Sequence, residues 1–405
     1  MIQKLTVSLL LVFAVAPSAQ QARFDDVVRN LRNPDPKIRF SAVRLLKESK
    51  YPEAMTPIAP LVNDPVDEIQ LEAIAAELSF FLVEDLQPKK RVALLVEVRN
   101  AGVAPAAFEL GPVAVLPRPV PPELVKALLQ AVDDENQKVR LEAIYAAGTI
   151  ARPPVDGDTA AQLIEALDHY DPAIRTAAAR VVGRLDVKTA GDALIKAMND
   201  SQTPVRLAAM RALGALREQS AVQALTAQFT YYGKGEGAWS ALDALARIAH
   251  PSSVPLFKAH VADKDPFLRR AAAEGLARAG DASEAAAFEI GAGNDTSDMV
   301  RAAMSFALQK LGKNYVPRLV EFMNSPKTTP QVAEYLIELG PAMVPLLAGS
   351  LNDPSAAIRG NVAQVLGILG DRAAVATLEP LLQDRDRDVV QAATRAIERI
   401  NLRHP

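Results

Sequence analysis

The sequence predicts an all-α solenoid, a superhelix built from about eleven or twelve stacked helical hairpins. Three observations favour this fold class. One short motif recurs along most of the chain at a spacing of about 31 residues. Each recurrence carries apolar residues at helical spacing. The composition is 49% hydrophobic but only 5% aromatic, so the apolar surface comes mainly from Ala, Leu and Val, which suits closely packed helices.

The recurring motif is an acidic turn followed by an arginine near the start of an alanine-rich helix. Examples are "DPAIRTAAARVVGRL" (171–185), "TPVRLAAMRALGAL" (203–216) and "DPFLRRAAAEGLARAG" (265–280). We call the position of this arginine the slot. The eleven clear slots hold Arg39, Gln70, Arg140, Arg175, Arg206, Trp239, Arg269, Arg301, Thr329, Arg359 and Val390. A twelfth register would fall near Ala104, where "APAAFELG" weakly repeats the pattern.

Each unit is expected to form two helices, as residues 188–216 illustrate. The second helix begins at Pro204, whose fixed φ suits a first helical turn. Its apolar stripe consists of Val205, Ala208, Ala209, Ala212, Leu213 and Leu216. Gly214 lies inside this helix at a cost of about 1 kcal/mol relative to Ala, so we expect a neighbouring helix to approach closely there. A single hairpin cannot bury its stripe, but stacked hairpins can.

With these motifs the sequence resembles the HEAT repeat superfamily in its short bacterial form, related to phycocyanobilin-lyase HEAT-like repeats. The resemblance covers almost all of residues 24–400. It implies a right-handed α-α superhelix that acts as a binding scaffold. It also implies a hydrogen-bonded ladder between turn aspartates and slot arginines, with Arg39, Arg140, Arg175, Arg206, Arg269, Arg301, Arg359, Asp171, Asp200 and Asp265 as expected members. Gln70, Trp239, Thr329 and Val390 lack a guanidinium, so the ladder is expected to break at those slots.

The two ends and one internal stretch depart from the repeat. Lys4, an apolar run over residues 5–16 and small residues near Ala19 predict a signal peptide over residues 1–19, with a buried N-terminal helix as the alternative. Residues 24–83 form the N-terminal repeats, 122–400 the main array and 401–405 a tail. Residues 84–121 are proline-rich, and are either a degenerate repeat with its connection or an apolar flap that docks a partner.

Charge and residue types narrow the possible functions. The 45 basic and 48 acidic residues give a net charge of -3, so no basic field that would attract nucleic acid is expected. There is no cysteine, and no spacing typical of a catalytic, metal or cofactor site. No membrane span is expected after residue 19. We therefore expect no enzyme and no cofactor.

The leading hypothesis is an exported, non-enzymatic scaffold that binds a protein or peptide partner on its concave face. Expected contacts lie five residues past a slot, or in the glycine-rich aromatic turn 229–239: Arg44, Tyr145, Arg180, Arg211, Glu274, Phe306, Tyr231, Tyr232 and Trp239. Alternatively, Trp239 packs on the repeat surface in place of the missing arginine. The other functions considered are an enzyme-associated lyase-type module, implied by the resemblance, and a structural spacer of the cell envelope.

Overall fold

A computed structural model describes residues 19–83 and 102–404. Most of the predicted signal peptide, and residues 84–101 of the proline-rich stretch, lie outside the described residues. Within the described ranges there are 23 α-helices and no β-strand, and one isolated bridge joins Leu82 to Val115. The helices are α1 Ala19–Asn30, α2 Pro36–Ser49, α3 Met55–Ile58, α4 Asp67–Phe81, α5 Val103–Glu109, α6 Pro122–Gln130, α7 Gln137–Ile150, α8 Gly157–Glu165, α9 Pro172–Arg184, α10 Gly191–Ala197, α11 Thr203–Leu216, α12 Val222–Tyr232, α13 Gly235–Ile248, α14 Val254–His260, α15 Pro266–Arg278, α16 Ala285–Asn294, α17 Asp298–Lys310, α18 Val316–Phe322, α19 Thr329–Leu339, α20 Val344–Leu347, α21 Ala356–Leu369, α22 Arg372–Leu378 and α23 Arg387–Arg403.

These helices pair into eleven hairpins, numbered repeats 1 to 11 in chain order. Repeats 1 and 2 are α1–α2 and α3–α4. Repeats 3 to 11 run from α6–α7 to α22–α23, and α5 stands outside the series. Short 3₁₀ turns flank most of the first helices, whereas the second helices are mostly 13 to 17 residues long. The predicted all-α solenoid is therefore confirmed, and the predicted tail is largely helical because α23 continues to Arg403.

Among the described residues, the twelfth register near Ala104 does not form a helical hairpin. Only the seven-residue α5 forms there, without a first helix of its own among the described residues. Repeats 2 and 3 instead contact each other directly. The Asn63 side chain donates to the carbonyl of Ala127, and the Gln70 side chain donates to Asp134. The chain from α5 to α6 is thus an insertion outside the stack.

An aspartate of the turn starts several of the second helices for a simple reason. In α9 the Asp171 carboxylate accepts a hydrogen bond from the Ala173 amide at 2.9 Å, and Pro172 occupies the first helical position. This side chain satisfies one amide that the helix itself leaves unpaired. Asp35 and Asp265 cap α2 and α15 in the same way. The recurring Asp-Pro pair is therefore a helix start signal.

The helical glycines mark where second helices touch. A Cβ on Gly183 would lie 2.9 Å from the Cα of Ala212, and one on Gly214 would lie 2.7 Å from the Cα of Ala244. Gly367 approaches Ala396 in the same way. These distances are too short for a side chain, so glycine allows adjacent second helices to pack backbone to backbone.

The core follows the apolar stripe with one exception. The position seven residues past the slot is a buried aliphatic residue in most repeats, such as Leu46, Val182 and Leu213. Repeat 2 has Glu77 there, completely buried. Neither of its carboxylate oxygens has a hydrogen-bond partner among the described residues. Burial raises the pKa of Glu77 well above its usual value, because the charged form is desolvated.

The superhelix brings its last repeat against the insertion. Arg399 of α23 donates to the carbonyl of Val115 at 2.9 Å, and Arg118 forms an ion pair with Glu398 at 3.3 Å. No single helix of the described residues is long and apolar enough to cross a membrane. One bent pair, Thr329–Leu339 with Pro341–Asn352, meets the length and hydropathy criteria jointly across a 107° bend.

Candidate partner-binding surface

The slot arginines connect successive repeats. Arg175 donates from Nε and Nη2 to the two carboxylate oxygens of Asp200, at 2.7 and 3.0 Å. Its Nη1 donates to the carbonyls of His169 and Tyr170 in its own turn. Burial alone would raise the pKa of Asp200, but the bonds from Arg175 and from a turn amide hold it below its usual value. Equivalent bidentate pairs are Arg39–Asp64, Arg269–Asp295 and Arg359–Asp384, and Arg140 donates once to Asp171.

Two slots without arginine still reach the next turn. Gln70 donates from Nε2 to Asp134 at 2.8 Å, and Trp239 donates from Nε1 to Asp265 at 2.6 Å. The Trp239 ring stacks on Phe267, with ring centroids 4.1 Å apart and planes inclined by 22°. The expected breaks at these two slots are therefore wrong, because an amide or indole N–H can replace the guanidinium as a donor. Trp239 is held in the ladder and is only partly exposed.

The aromatic turn also supplies an acceptor. No aspartate follows Arg206 in the turn of repeat 6, and its Nε donates instead to the Tyr232 hydroxyl at 2.8 Å. The guanidinium lies 6.0 Å from the Tyr232 ring centroid. Of the two adjacent tyrosines, Tyr231 is 77% exposed and packs edge-on against Tyr232. Tyr232 and Trp239 are thus engaged within the solenoid, and Tyr231 remains the accessible member of the predicted cluster.

The ladder is interrupted between repeats 8 and 10. Arg301 pairs with Asp298 of its own helix, and its buried Nε has no hydrogen-bond partner among the described residues. The turn of repeat 9, residues 325–330, contains no carboxylate that could accept from it. Thr329 donates to carbonyls of its own turn. The placement of Arg301 in the ladder is therefore wrong, because the acidic partner is missing.

The second helices also form what we call the inner face, where side chains of non-adjacent repeats meet. Tyr335 of repeat 9 donates to Glu274 of repeat 7, and Arg247 of repeat 6 pairs with Glu334 of repeat 9. Side chains can reach across one or two intervening repeats only on the concave side of a superhelix, so the inner face is the concave side. Its tight curvature explains why Glu274, expected at the surface, is only 1% exposed.

Two further candidates on this face are buried. Phe306 is completely buried and stacks on Tyr335 at a centroid distance of 4.3 Å. Tyr145 is 7% exposed, because Phe108 of α5 packs on it at 5.2 Å. The expectation that Tyr145, Glu274 and Phe306 are exposed contacts is therefore wrong, since other parts of the chain cover them.

A buried ionic cluster fills the inner face of repeats 6 to 9. Glu274 accepts from Arg270 at 2.9 Å, from Arg278 at 3.0 Å and from the Tyr335 hydroxyl. Arg270 also donates to Asp243 at 2.9 Å. Burial raises the pKa of Tyr335 well above 10, and the nearby Glu274 carboxylate raises it further. The cluster spans the repeats beside the ladder's interruption and supplies cross-links that the ladder lacks there.

One accessible part of the inner face is a groove of about 300 Å³ between α5, α9 and α11, which we call the inner groove. Another cavity, of about 320 Å³, lies over the ionic cluster of Glu274. The floor of the inner groove is made of small residues because second helices touch there, and arginines stand along its walls. The lining residues are Phe108, Gly111, Arg180, Gly183, Arg184, Ala208, Arg211, Ala212 and Ala215. Arg180 and Arg211, two of the predicted contacts, are thus brought to one site. Arg44 is exposed on α2 in repeat 1 and does not line it.

The arginines of the groove are incompletely neutralised. Arg184 donates to the carbonyl of Phe108 at 2.7 Å and lies 4.8 Å from that ring, without a carboxylate partner among the described residues. Burial, with a smaller effect of Arg152, lowers its pKa to about 10, so it stays charged at neutral pH. Arg211 pairs with Glu236 at 2.8 Å, and both remain about half exposed. The groove therefore combines an apolar floor with positive walls.

Arg184 and Phe108 were missed as candidates from the sequence. Arg184 lies four residues beyond Arg180 on the same helical face, so continuing the pattern along α9 would have included it. Phe108 could not be placed this way, because α5 lies outside the repeat register.

These observations define an α-solenoid of helical hairpins with a concave inner face. A family model described as HEAT repeats matches residues 160–231, 235–309 and 316–398, which is more than half of the chain. The chain belongs to the HEAT repeat family, and the resemblance inferred from its motifs is confirmed.

Several solved structures are similar to this chain at low sequence identity. An engineered protein is 18% identical, with 93% of this chain and 98% of that chain covered and a TM-score of 0.41. The complex of CpcE and CpcF of phycocyanin lyase from Nostoc sp. PCC7120 is 20% identical, with coverage of 62% and 98% and a TM-score of 0.41. Kap121p is 13% identical, with coverage of 95% and 49% and a TM-score of 0.39. The comparison with curated protein sequences gives no significant match.

Proposed function

We propose that this protein is an exported, non-enzymatic scaffold that binds an acidic, apolar segment of a partner protein in the inner groove. The observation that supports this most is the meeting of Arg180, Arg184 and Arg211 over a floor of alanine and glycine. A small-residue floor admits a closely packed chain, and guanidiniums recognise carboxylates. The proposal follows from charge and shape complementarity.

The proposed export depends on the N-terminal sequence. Lys4, the apolar run over residues 5–16 and the small residues around Ala19 have the order of a secretion signal, and the chain has no cysteine that oxidation outside the cytoplasm would affect. In a bacterial host, N-terminal sequencing of the extracytoplasmic protein is expected to start near Ala19. Recovery in the cytoplasm with Met1 retained would contradict this part of the proposal.

The groove is tested by charge reversal with a matched control. Arg180→Glu with Arg211→Glu changes two partly exposed positions. Lys37→Glu with Lys126→Glu makes the same change in net charge at exposed positions away from the groove. A partner identified by affinity purification is titrated against each purified variant by fluorescence anisotropy at several salt concentrations.

We expect the Arg180 and Arg211 double variant to bind at least ~10-fold more weakly, and the control to bind like wild type. Wild-type affinity should also fall as salt rises, because the contacts are charged. Equal affinities for both double variants would refute the groove as the binding surface. If no defined partner forms a stable complex, the spacer role is favoured instead.

A further inference from the structure

The insertion lies on the inner face like a bound peptide. Ala104 and Ala107 of α5 are completely buried. The Glu142 carboxylate of α7 accepts from the Ala104 amide at 2.9 Å, at the N-terminus of α5. At the other end of α5, Phe108 packs between Tyr145 and the Arg184 guanidinium. The inner faces of α7 and α9 therefore form a seat for a short helix.

Beyond α5 the insertion is held through its backbone. Arg184 donates to the carbonyl of Phe108, Arg152 to that of Leu116 at 2.8 Å and Arg399 to that of Val115. These arginines come from repeat 4, from the end of repeat 3 and from repeat 11. Carbonyl oxygens are present in every peptide, so these arginines could donate to the backbone of another segment that replaced the insertion.

The stack does not require the insertion. Repeats 2 and 3 are joined directly, by Gln70 with Asp134 and by Asn63 with Ala127. The helix itself has seven residues, and it ends at Glu109 and Leu110, which are both exposed. A short helix with few buried side chains is weakly held compared with a full repeat. It can therefore leave its seat without opening the ladder.

Resting on the proposed function, we infer that α5 is an internal ligand, and that a partner binds by displacing it from α7 and α9. The partner segment has the same chemistry: a short helix with small apolar residues on one face, an aromatic residue near its C-terminal end and an acidic residue after it. In α5 these features are Ala104, Ala107, Phe108 and Glu109. Glu109 lies 3.9 Å from Arg180, which shows where the acidic group of the partner meets the inner groove.

The test uses the chain's own segment as the probe. A fluorescent peptide of residues 102–111, GVAPAAFELG, is titrated against full-length wild type, Ala107→Asp and Glu142→Gln by anisotropy. Ala107→Asp places a charge in the buried contact and undocks α5, whereas Glu142→Gln changes the seat and weakens the hold on the helix N-terminus of α5 and of the probe alike. Glu123→Gln, at an exposed position of α6, and a scrambled peptide are the controls.

We expect Ala107→Asp to bind the peptide at least ~10-fold more tightly than wild type, with Glu142→Gln close to wild type because Glu142 holds α5 and the probe alike, and Glu123→Gln unchanged. Adding Tyr145→Ala and Arg184→Ala to Ala107→Asp should abolish the gain. Hydrogen exchange of wild type provides a measurement that needs no variant: the α5 amides should exchange at least ~10-fold faster than those of α7 and α9. Equal peptide affinity for wild type and a folded Ala107→Asp, or α5 protection equal to that of α7, would overturn the inference.

The two proposals can fail separately. If the peptide binds Ala107→Asp but charge reversal at Arg180 and Arg211 leaves the partner's affinity unchanged, the internal-ligand inference is supported and the groove proposal fails. If the partner needs both arginines but does not compete with the peptide, α5 is a structural insertion.

Discussion

Replacing Glu77 is expected to stabilise the protein, in contrast to most substitutions in a core. Its carboxyl is fully buried at a position where most other repeats have a leucine or valine, and neither oxygen has a partner among the described residues. A buried polar group without a hydrogen bond costs about 1–3 kcal/mol. Glu77→Leu removes this cost and adds apolar contacts, so the free energy of unfolding should rise by about 2 kcal/mol or more.

The pH dependence gives a sharper test. Because burial raises the folded pKa of Glu77, the fold is more stable with this carboxyl protonated than with it charged, so the free energy of unfolding declines as the pH rises above the unfolded value of 4.5. The decline is about 1.4 kcal/mol per pH unit until the folded pKa is reached. Glu77→Gln removes the titration, so its advantage over wild type in the free energy of unfolding should be larger at pH 7.5 than at pH 5.5.

Urea denaturation followed by circular dichroism at both pH values measures this difference, with the exposed Glu68→Gln on the same helix as the control. The reasoning would be refuted if Glu77→Leu were less stable than wild type at both pH values. A Glu77→Gln advantage that stays constant with pH would refute the titration argument alone.

Three further predictions concern the contacts between repeats. Trp239→Phe keeps the ring stacking but removes the indole donor, so it should lower the free energy of unfolding by about 1–2 kcal/mol. Trp239→Arg supplies a new donor and should restore the stability. Equal stability of wild type and both variants in urea would show that the hydrogen bond to Asp265 is unimportant. Gly214→Ala should lower the free energy of unfolding in the same assay, because its Cβ would lie 2.7 Å from the Cα of Ala244 on a neighbouring helix. Gly360→Ala, whose Cβ would have 3.8 Å to its nearest neighbour, should be neutral or stabilising by up to about 1 kcal/mol. The opposite order would contradict the close packing at Gly214. Because the folded pKa of Asp200 is depressed, its pairing with Arg175 stabilises the fold above the unfolded pKa, and this contribution is lost as the pH falls through the folded pKa. Asp200→Asn should therefore be less stable than wild type at pH 7, and its stability should approach that of wild type in acid. A stability difference that does not narrow as the pH falls would exclude this linkage.

The hairpins could be predicted because they are encoded locally. The Asp-Pro start, the apolar stripe and the glycine of α9 are all within one repeat, and each has one structural consequence, as Asp171 and Gly183 show. The site depends on distant residues. Glu274 becomes buried through Tyr335, 61 positions away, and Val115 accepts from Arg399, 284 positions away. Such contacts follow from the accumulated curvature of many repeats, which no single repeat specifies.

Polar residues have three different roles in this solenoid, and their position relative to the slot separates them. The N–H donors of slot residues such as Arg175 are used by hydrogen bonds to two turns, so these residues hold the stack together and leave few donors for a partner. Around the interruption at Arg301, the inner face itself is cross-linked by the ionic cluster of Glu274, and its charges neutralise one another. At the inner groove, by contrast, Arg180 and Arg211 place accessible positive charge beside an apolar floor. The partner proposed above would therefore meet accessible positive charge next to α5, and if it also displaces α5, both contacts form in one binding event.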